Sequence, residues 1–189
     1  APPVLDPMGD KTVLEGQPLS AKVKATSASS SASLTFQSSP LPTGAYFVPL
    51  GDVNLNGAVS IADALFISQF VAGSRTLTSL QQKVGDMNHD GTLTSVDADM
   101  IAQLSVGNLP PQNEYWFLWQ PTYYQSGSYP MTFTATDGTS SDSESITVSV
   151  TNIPQSDLTL TALSSSATTI GTSSSFSVSS SLKNQGTAS

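Results

Sequence analysis

The chain has 189 residues, with 14 acids against 6 Lys and Arg, one His, no Cys and a formal net charge of −8. A long phosphate backbone would be repelled by that charge and a hard cation attracted. Without Cys there is no disulfide framework or thiolate metal site, a single His excludes any site that needs two imidazoles, and no apolar run approaches the roughly 18 residues of a membrane span.

Ser and Thr are abundant, and charged residues make up only 11%. With no Cys and few Lys, this composition suits a secreted or surface protein of bacterial type. No basic-then-apolar signal segment opens the chain, and its start at Ala1-Pro2-Pro3 reads as a piece of something longer.

Residues 1–50 read as β. Val4-Leu5 and Val13-Leu14 bracket a turn at Gly9-Asp10, and Leu19–Ala25 alternates apolar and polar at the period of a half-buried strand. Leu34–Phe36 is a further short piece, Ser27–Ser33 a loop, Leu41–Gly44 a turn, and Ala45–Val48 the start of another strand. Residues 51–107 lose this alternation and show two helical runs, each following a Gly-containing acidic loop. The β pattern returns in Tyr115–Trp119, in Tyr129–Thr136 and, after Asp137-Gly138, in Ser145–Val150.

Neither β segment has enough strands to close alone. Together they supply about seven, the count of an Ig-like sandwich. The fold class expected is therefore multi-domain, β plus α. A discontinuous antiparallel β-sandwich, 1–50 plus 108–153, carries a small all-α module, 51–107, inserted in a hairpin. Residues 154–189, with Leu158–Leu160 and Phe176–Val178 alternating, read as a linker and the start of a second β-sandwich, since two or three strands bury no core.

The insert carries an internal repeat: Gly51–Gly57 matches Gly85–Gly91, Asp63-Ala64 matches Asp97-Ala98, and Ile67, Gln69 and Gly73 match Ile101, Gln103 and Gly107. Oxygen side chains stand at loop positions 1, 3, 5 and 12, as Asp52, Asn54, Asn56 and Asp63 and then as Asp86, Asn88, Asp90 and Asp97. Calcium takes six to eight oxygens in a flexible shell, and alternate residues of a tightly turning loop can supply them. Gly57 and Gly91 permit the turn at position 6. The carbonyls of Ala58 and Thr92 fall at position 7, and Ser60 and Thr94 at position 9 would act through water. Magnesium keeps its waters and fits less well. One such loop could be an ordinary Asn/Asp/Gly turn; two in register, each entering a helix at position 12, favour two ions. His89, at position 4, points away from such an ion and reads as a solvated side chain.

An EF-hand has Glu at position 12 and a helix on both sides. Here position 12 is Asp, and Pro49 argues against a helix entering the first loop. Two loop-helix units with Asp at position 12 and a spacing in the thirties resemble the dockerin module, over residues 51–107. The resemblance implies an all-α, calcium-dependent module that docks secreted proteins onto cohesin domains, most familiarly in cellulosomes and on cell surfaces. Asn56 departs from the usual Asp and leaves the first loop two carboxylates against three in the second. The flanking sequence, from Val4–Val13 and Glu15-Gly16 to Trp119–Thr122, Gly127–Tyr129 and Thr136–Gly138, resembles the Ig-like, cadherin-like repeats of bacterial surface proteins. In that family an Asp-rich loop often joins the second and third strands; Ser27–Ser33 has no acid, so Glu15 and Asp137 read as a surface charge and a turn former. Residues 157–186 resemble the opening of another adhesion-type sandwich.

On a helical wheel, Phe66, Ile67 and Phe70 form one apolar arc and Met100, Ile101 and Leu104 its twin. These arcs should pack together. The far side of the first helix, Ile61, Ala62, Leu65, Ser68, Gln69 and Ala72, reads as apolar where the second offers Ser95, Asp99 and Gln103, with Ala102 and Val106. In dockerins this side contacts cohesin, which adds Ser95 and Val96 at loop positions 10 and 11. The alternative is that Ile61 and Leu65 pack against the host sandwich. Tyr115–Trp119 is either core or a sugar platform, and its alternation favours core.

The reading is a non-enzymatic, calcium-dependent docking module for a cohesin-like partner, in a monomeric, secreted or cell-surface bacterial protein with a link to polysaccharide degradation. It binds no nucleic acid and inserts in no membrane. The alternative is a calcium-stabilised stalk or adhesion domain with no docking partner. The insert, short of core without its ions, should unfold separately from its host.

Overall fold

A computed structural model describes residues 2–27, 33–154, 158–165 and 178–184. The chain divides into two compact units, Ala1–Asn152 and Ile153–Ser189.

Among its described residues the first unit has two four-stranded sheets and three helices. The strands are β1 (Val4–Leu5), β2 (Lys11–Leu14), β3 (Leu19–Thr26), β4 (Thr35–Ser38), β5 (Tyr46–Pro49), β6 (Glu114–Trp119), β7 (Gly127–Thr136) and β8 (Ser141–Thr151). One sheet runs β1-β3-β6-β5 and the other β2-β8-β7-β4. All pairings are antiparallel except β2 with β8, which places Val13 opposite Val150 in parallel register. The inward residues of both sheets, among them Val23, Phe36, Phe117, Trp119, Phe133 and Val148, form one buried core. Two facing sheets in this strand order have the layout of an Ig-like sandwich.

The helices are α1 (Ile61–Val71), α2 (Ser79–Gly85) and α3 (Ser95–Ser105), and all three lie between β5 and β6, two strands that pair as a hairpin. Two helices were expected. The third, α2, is announced by Thr78 and Gln81, whose side chains satisfy each other's backbone N–H groups in a capping box. It gives the second loop a helix on both sides; the first is entered from β5, as Pro49 indicated.

Strand β6 explains the unbroken apolar run at 115–119. Phe117 and Trp119 face the core between the sheets, while Trp116 and Leu118 face outward. The outward pair is nevertheless buried, because the helices cover it. Val48, Leu50, Trp116 and Leu118 share one core with Val53, Ile67, Leu77, Val84, Met87 and Ile101. Fully burying such a side chain is worth about 1.5–3 kcal/mol. Four of them together rival the whole net stability of a domain, about 5–15 kcal/mol. The insert and the sheet beneath it therefore share one buried core.

In the second unit β9 (Leu158–Ser165) and β10 (Val178–Asn184) form an antiparallel two-stranded sheet, with a register shift between Ser181 and Leu182. Phe176, part of the expected strand pattern, and most of the loop expected at 27–33 lie outside the described residues.

Candidate functional site

The repeat in the sequence is a repeat of structure. Gly51 and Gly85 begin the two units. A Cβ at Gly51 would stand 3.2–3.4 Å from Met87, Ile101 and Val59; one at Gly85 would stand the same 3.2–3.4 Å from Val53, Ile67 and Leu93. Replacing each residue of the first set by its counterpart in the other repeat produces the second set. The two units thus pack about a local two-fold, each glycine under the other unit's isoleucine. Ile67 and Ile101 are fully buried there, while Phe66, Phe70, Met100 and Leu104 are half-buried against the same core.

Both loops have the same backbone. Position 4 is left-handed in each (Leu55 φ 60°, His89 φ 59°), and so is position 6 (Gly57 φ 93°, Gly91 φ 85°). These turns aim the first carboxylate inward. Asp52 accepts hydrogen bonds from the N–H groups of Asn56 (3.1 Å) and Gly57 (2.6 Å), and Asp86 accepts from those of Asp90 (3.2 Å) and Gly91 (3.0 Å). Position 12 closes each loop and starts each helix with the same carboxylate. Asp63 takes the N–H groups of Asn54 and Ser60, both at 2.9 Å, and Asp97 those of Met87 and Thr94, both at 2.9 Å. Ser60 and Thr94, at position 9, are therefore the N-caps of α1 and α3. An Asp this close to the helix start reaches back to the cap with one methylene.

Asp52, Asp63, Asp86 and Asp97 are all buried. Among the described residues none of the four has a cationic side-chain partner. Buried charges are ordinarily paired or coordinate a metal. The donor set fits a hard, oxygen-seeking dication, and each loop's own residues would hold it: Asp52, Asn54, Asn56 and Asp63 with the Ala58 carbonyl in the first, and Asp86, Asn88, Asp90 and Asp97 with the Thr92 carbonyl in the second. The structure draws Asp52 and Asp63 together closely enough to repel each other. It does not gather all the acids of the second loop. Asp90 is exposed, its carboxylate accepting from the Thr92 N–H (2.8 Å), the Thr92 hydroxyl (2.7 Å) and Asn88 Nδ2 (2.9 Å). Among the described residues no three His, Cys, Asp or Glu side chains converge as a metal cluster.

Burial pushes the Asp52 carboxyl above the ordinary range; N–H bonds from Gly57 and Asn56 pull it down, and the charge of Asp63 pushes it up again. Hydrogen bonds from Thr92 and Asn88 hold Asp90 below its ordinary value. A protonated carboxyl does not ligate, so if these carboxyls hold metal, acidification would remove Asp52 as a ligand at a higher pH than Asp90. Calcium titrations at pH 7 and at successively lower pH should show the first loop weakening before the second; the reverse order would refute this assignment.

The far face of the insert is open. Ile61 is 65% exposed and Leu65 54%, and Ala62, Ser68, Ala72, Ser95 and Val96 are exposed beside them. Neither Ile61 nor Leu65 packs on the sandwich, which occupies the opposite side of the helices. Gln69 is half-buried and accepts from Arg75 Nε at 2.7 Å. Between α1 and α3 the face dips into a shallow groove of about 390 Å³, lined by Ile61, Ala64, Leu65 and Ser68 from α1 and Ser95, Ala98, Asp99 and Ala102 from α3.

Residues 50–104 match the family model of the dockerin type I domain. The match covers less than a third of the chain. It spans both loops and α1 to α3, and it supports, coarsely, a calcium-dependent docking module in this insert. No curated protein matches the chain. Solved structures similar to it include a chimeric titin Z1Z2 (8% identity, 81% of this chain and 97% of that one, TM-score 0.38) and the titin M3 domain (10%, 79% and 96%, TM-score 0.35). An endo-fucoidan hydrolase of glycoside hydrolase family 107 is a third (10% identity, 85% of this chain and 16% of that one, TM-score 0.36). Likeness at that level carries no argument, and the strand order alone defines the sandwich.

Two residues differ from their sequence reading. Glu15 is no surface charge but fully buried, accepting the Ser126 N–H at 2.9 Å. His89 is not simply solvated; its Nε2 lies 3.3 Å from Glu114 Oε1. The sequence carried no signal for either contact, since each joins segments far apart in the chain. Asp137 is the turn former expected, accepting the N–H groups of Thr139 and Ser140, and these bonds hold its carboxyl below the ordinary range. Among the described residues no helix is long and apolar enough to cross a membrane.

Proposed function

We propose that the insert, residues 51–107, binds two calcium ions and docks a cohesin-type domain through its far face. Its host is a non-enzymatic, extracellular or cell-surface bacterial protein connected with polysaccharide degradation. The observation that carries this reading is a conjunction. Two metal-type loops with matching left-handed turns at positions 4 and 6 hold up an apolar helix face, and that face is bare, on the side of the helices away from the sandwich. The ions would act by neutralising buried carboxylates and fixing the helix starts; Ile61, Ala62, Leu65, Ser68, Gln69, Ala72, Ser95 and Val96 would make the contact.

The stalk alternative draws support from the shared core of insert and sheet, which suits a module that merely stiffens its host. Cohesin domains immobilised as a panel distinguish the two. The docking reading expects capture of the chain in calcium and release in chelator. Failure of every cohesin to bind in calcium, with the ions demonstrably taken up, leaves the stalk.

A further inference from the structure

We propose that the sandwich is linked to the calcium loops through β6, so that occupancy of the insert sets the stability of the core between the sheets. The metal part of this proposal rests on the calcium reading above; the mechanical part does not.

Strand β6 is a central strand with two different rows of side chains. Its outward row, Glu114, Trp116 and Leu118, is buried under the helices, and its inward row includes Phe117 and Trp119 in the intersheet core. Loss of the helices would bare the outward row on the strand that carries the inward one. Strand β5, paired with β6, runs directly into the first loop, and Leu50 N–H continues the pairing to the Glu114 carbonyl at 3.0 Å. The next residue, Gly51, donates instead to the Val84 carbonyl of α2 at 2.9 Å.

Glu114 ties the second loop to the same strand. It is buried, and its Oε1 accepts from Trp116 Nε1 at 3.0 Å while standing 3.3 Å from His89 Nε2. His89 occupies the left-handed position 4 of that loop. Glu114 is thus a positioning residue: it holds a loop residue flanked by the ligands Asn88 and Asp90. Lys83 of α2 lies over the Trp116 ring at 5.5 Å and completes the joint.

The chain has two tryptophans, one on each face of β6. Trp116→Phe leaves Trp119, fully buried and edge-on to Tyr129, as the sole tryptophan and a reporter of the sandwich core alone. In that background Ile67→Ala, a change confined to the insert, should lower the Trp119 thermal midpoint by on the order of 10 °C or abolish the folded signal. Chelation, against calcium at a hundredfold excess over the dissociation constant of each of the two sites, should lower it by about 10–20 °C. A Trp119 midpoint indifferent to Ile67→Ala overturns the proposal. A midpoint indifferent to chelation, where calorimetry shows calcium bound, overturns the metal linkage and leaves calcium binding intact. If calorimetry shows no calcium uptake, the calcium reading falls and Ile67→Ala decides the linkage alone. Should Trp116→Phe not fold, exchange of the Phe133 and Val148 amides in the otherwise unaltered chain, with and without Ile67→Ala, decides the same question.

Discussion

Ile61→Asp should abolish capture of a cohesin-type partner, and Leu65→Asp should do the same. Both side chains stand on the open face of α1, so docking would bury each, and a charge placed there has no partner in the protein. An uncompensated buried charge costs about 3–5 kcal/mol, which is on the order of a hundredfold to several thousandfold in affinity. In the free protein neither change should cost more than about 0.5 kcal/mol, because both positions are exposed. Calcium uptake should persist, since position 61 precedes Asp63 in the first helical turn, where another acid suits the helix dipole. Asp99→Ala should matter little: Asp99 is exposed and engages only its neighbour Gln103, at 2.6 Å. The contrast between the two helices implies one dominant docking orientation, led by α1. Surface plasmon resonance of the three variants, each checked for folding by circular dichroism, measures this. Full binding by Ile61→Asp and Leu65→Asp would show that the face has been assigned wrongly.

Asp63→Ala and Asp97→Ala should each remove one calcium ion, and the pair should remove both. The closing carboxylate does double duty in this protein. It would complete the shell of the ion, and it takes two backbone N–H groups that otherwise go unpaired at the loop and at the helix start. In chelator, each substitution should therefore destabilise the fold by about 1–3 kcal/mol, the cost of leaving such groups unsatisfied. In calcium the loss should be larger by the stabilisation that one bound ion supplies. Thermal melts of both variants in calcium and in chelator separate the two contributions. Equal losses under the two conditions would mean that position 12 caps the helix and holds no metal.

The sequence made the metal-type loops legible because a loop's chemistry is local: the oxygens at positions 1, 3, 5 and 12 and the glycine at 6 fall within a dozen residues, and a second copy follows in register. The strands were legible for the same reason where one face was wet, as in Leu19–Ala25. Strand β6 shows where that kind of reading stops. A strand covered on both faces shows no apolar-polar contrast; its period of two separates Trp116 and Leu118 from Tyr115, Phe117 and Trp119, but nothing in the run says that Trp116 meets α2 while Trp119 meets β7. The helix α2 was missed because it is 7 residues long, too short for a periodic pattern, although its capping box was present in Thr78 and Gln81. Glu15, His89 and Glu114 owe their surroundings to contacts across the fold, which no local pattern records. The openness of Ile61 and Leu65 is likewise a property of how the insert sits. The helical wheel identified a surplus apolar face, and the geometry of β5 and β6 turns that face to solvent by placing the sandwich against the opposite one.

The most direct test of this account counts metal. Calcium titrated into the intact, chelator-stripped chain by calorimetry at pH 7 should bind at two sites per chain, the second loop more tightly because it carries three carboxylates against two. No heat of binding, together with a thermal midpoint that calcium leaves unchanged, would contradict the account at its centre.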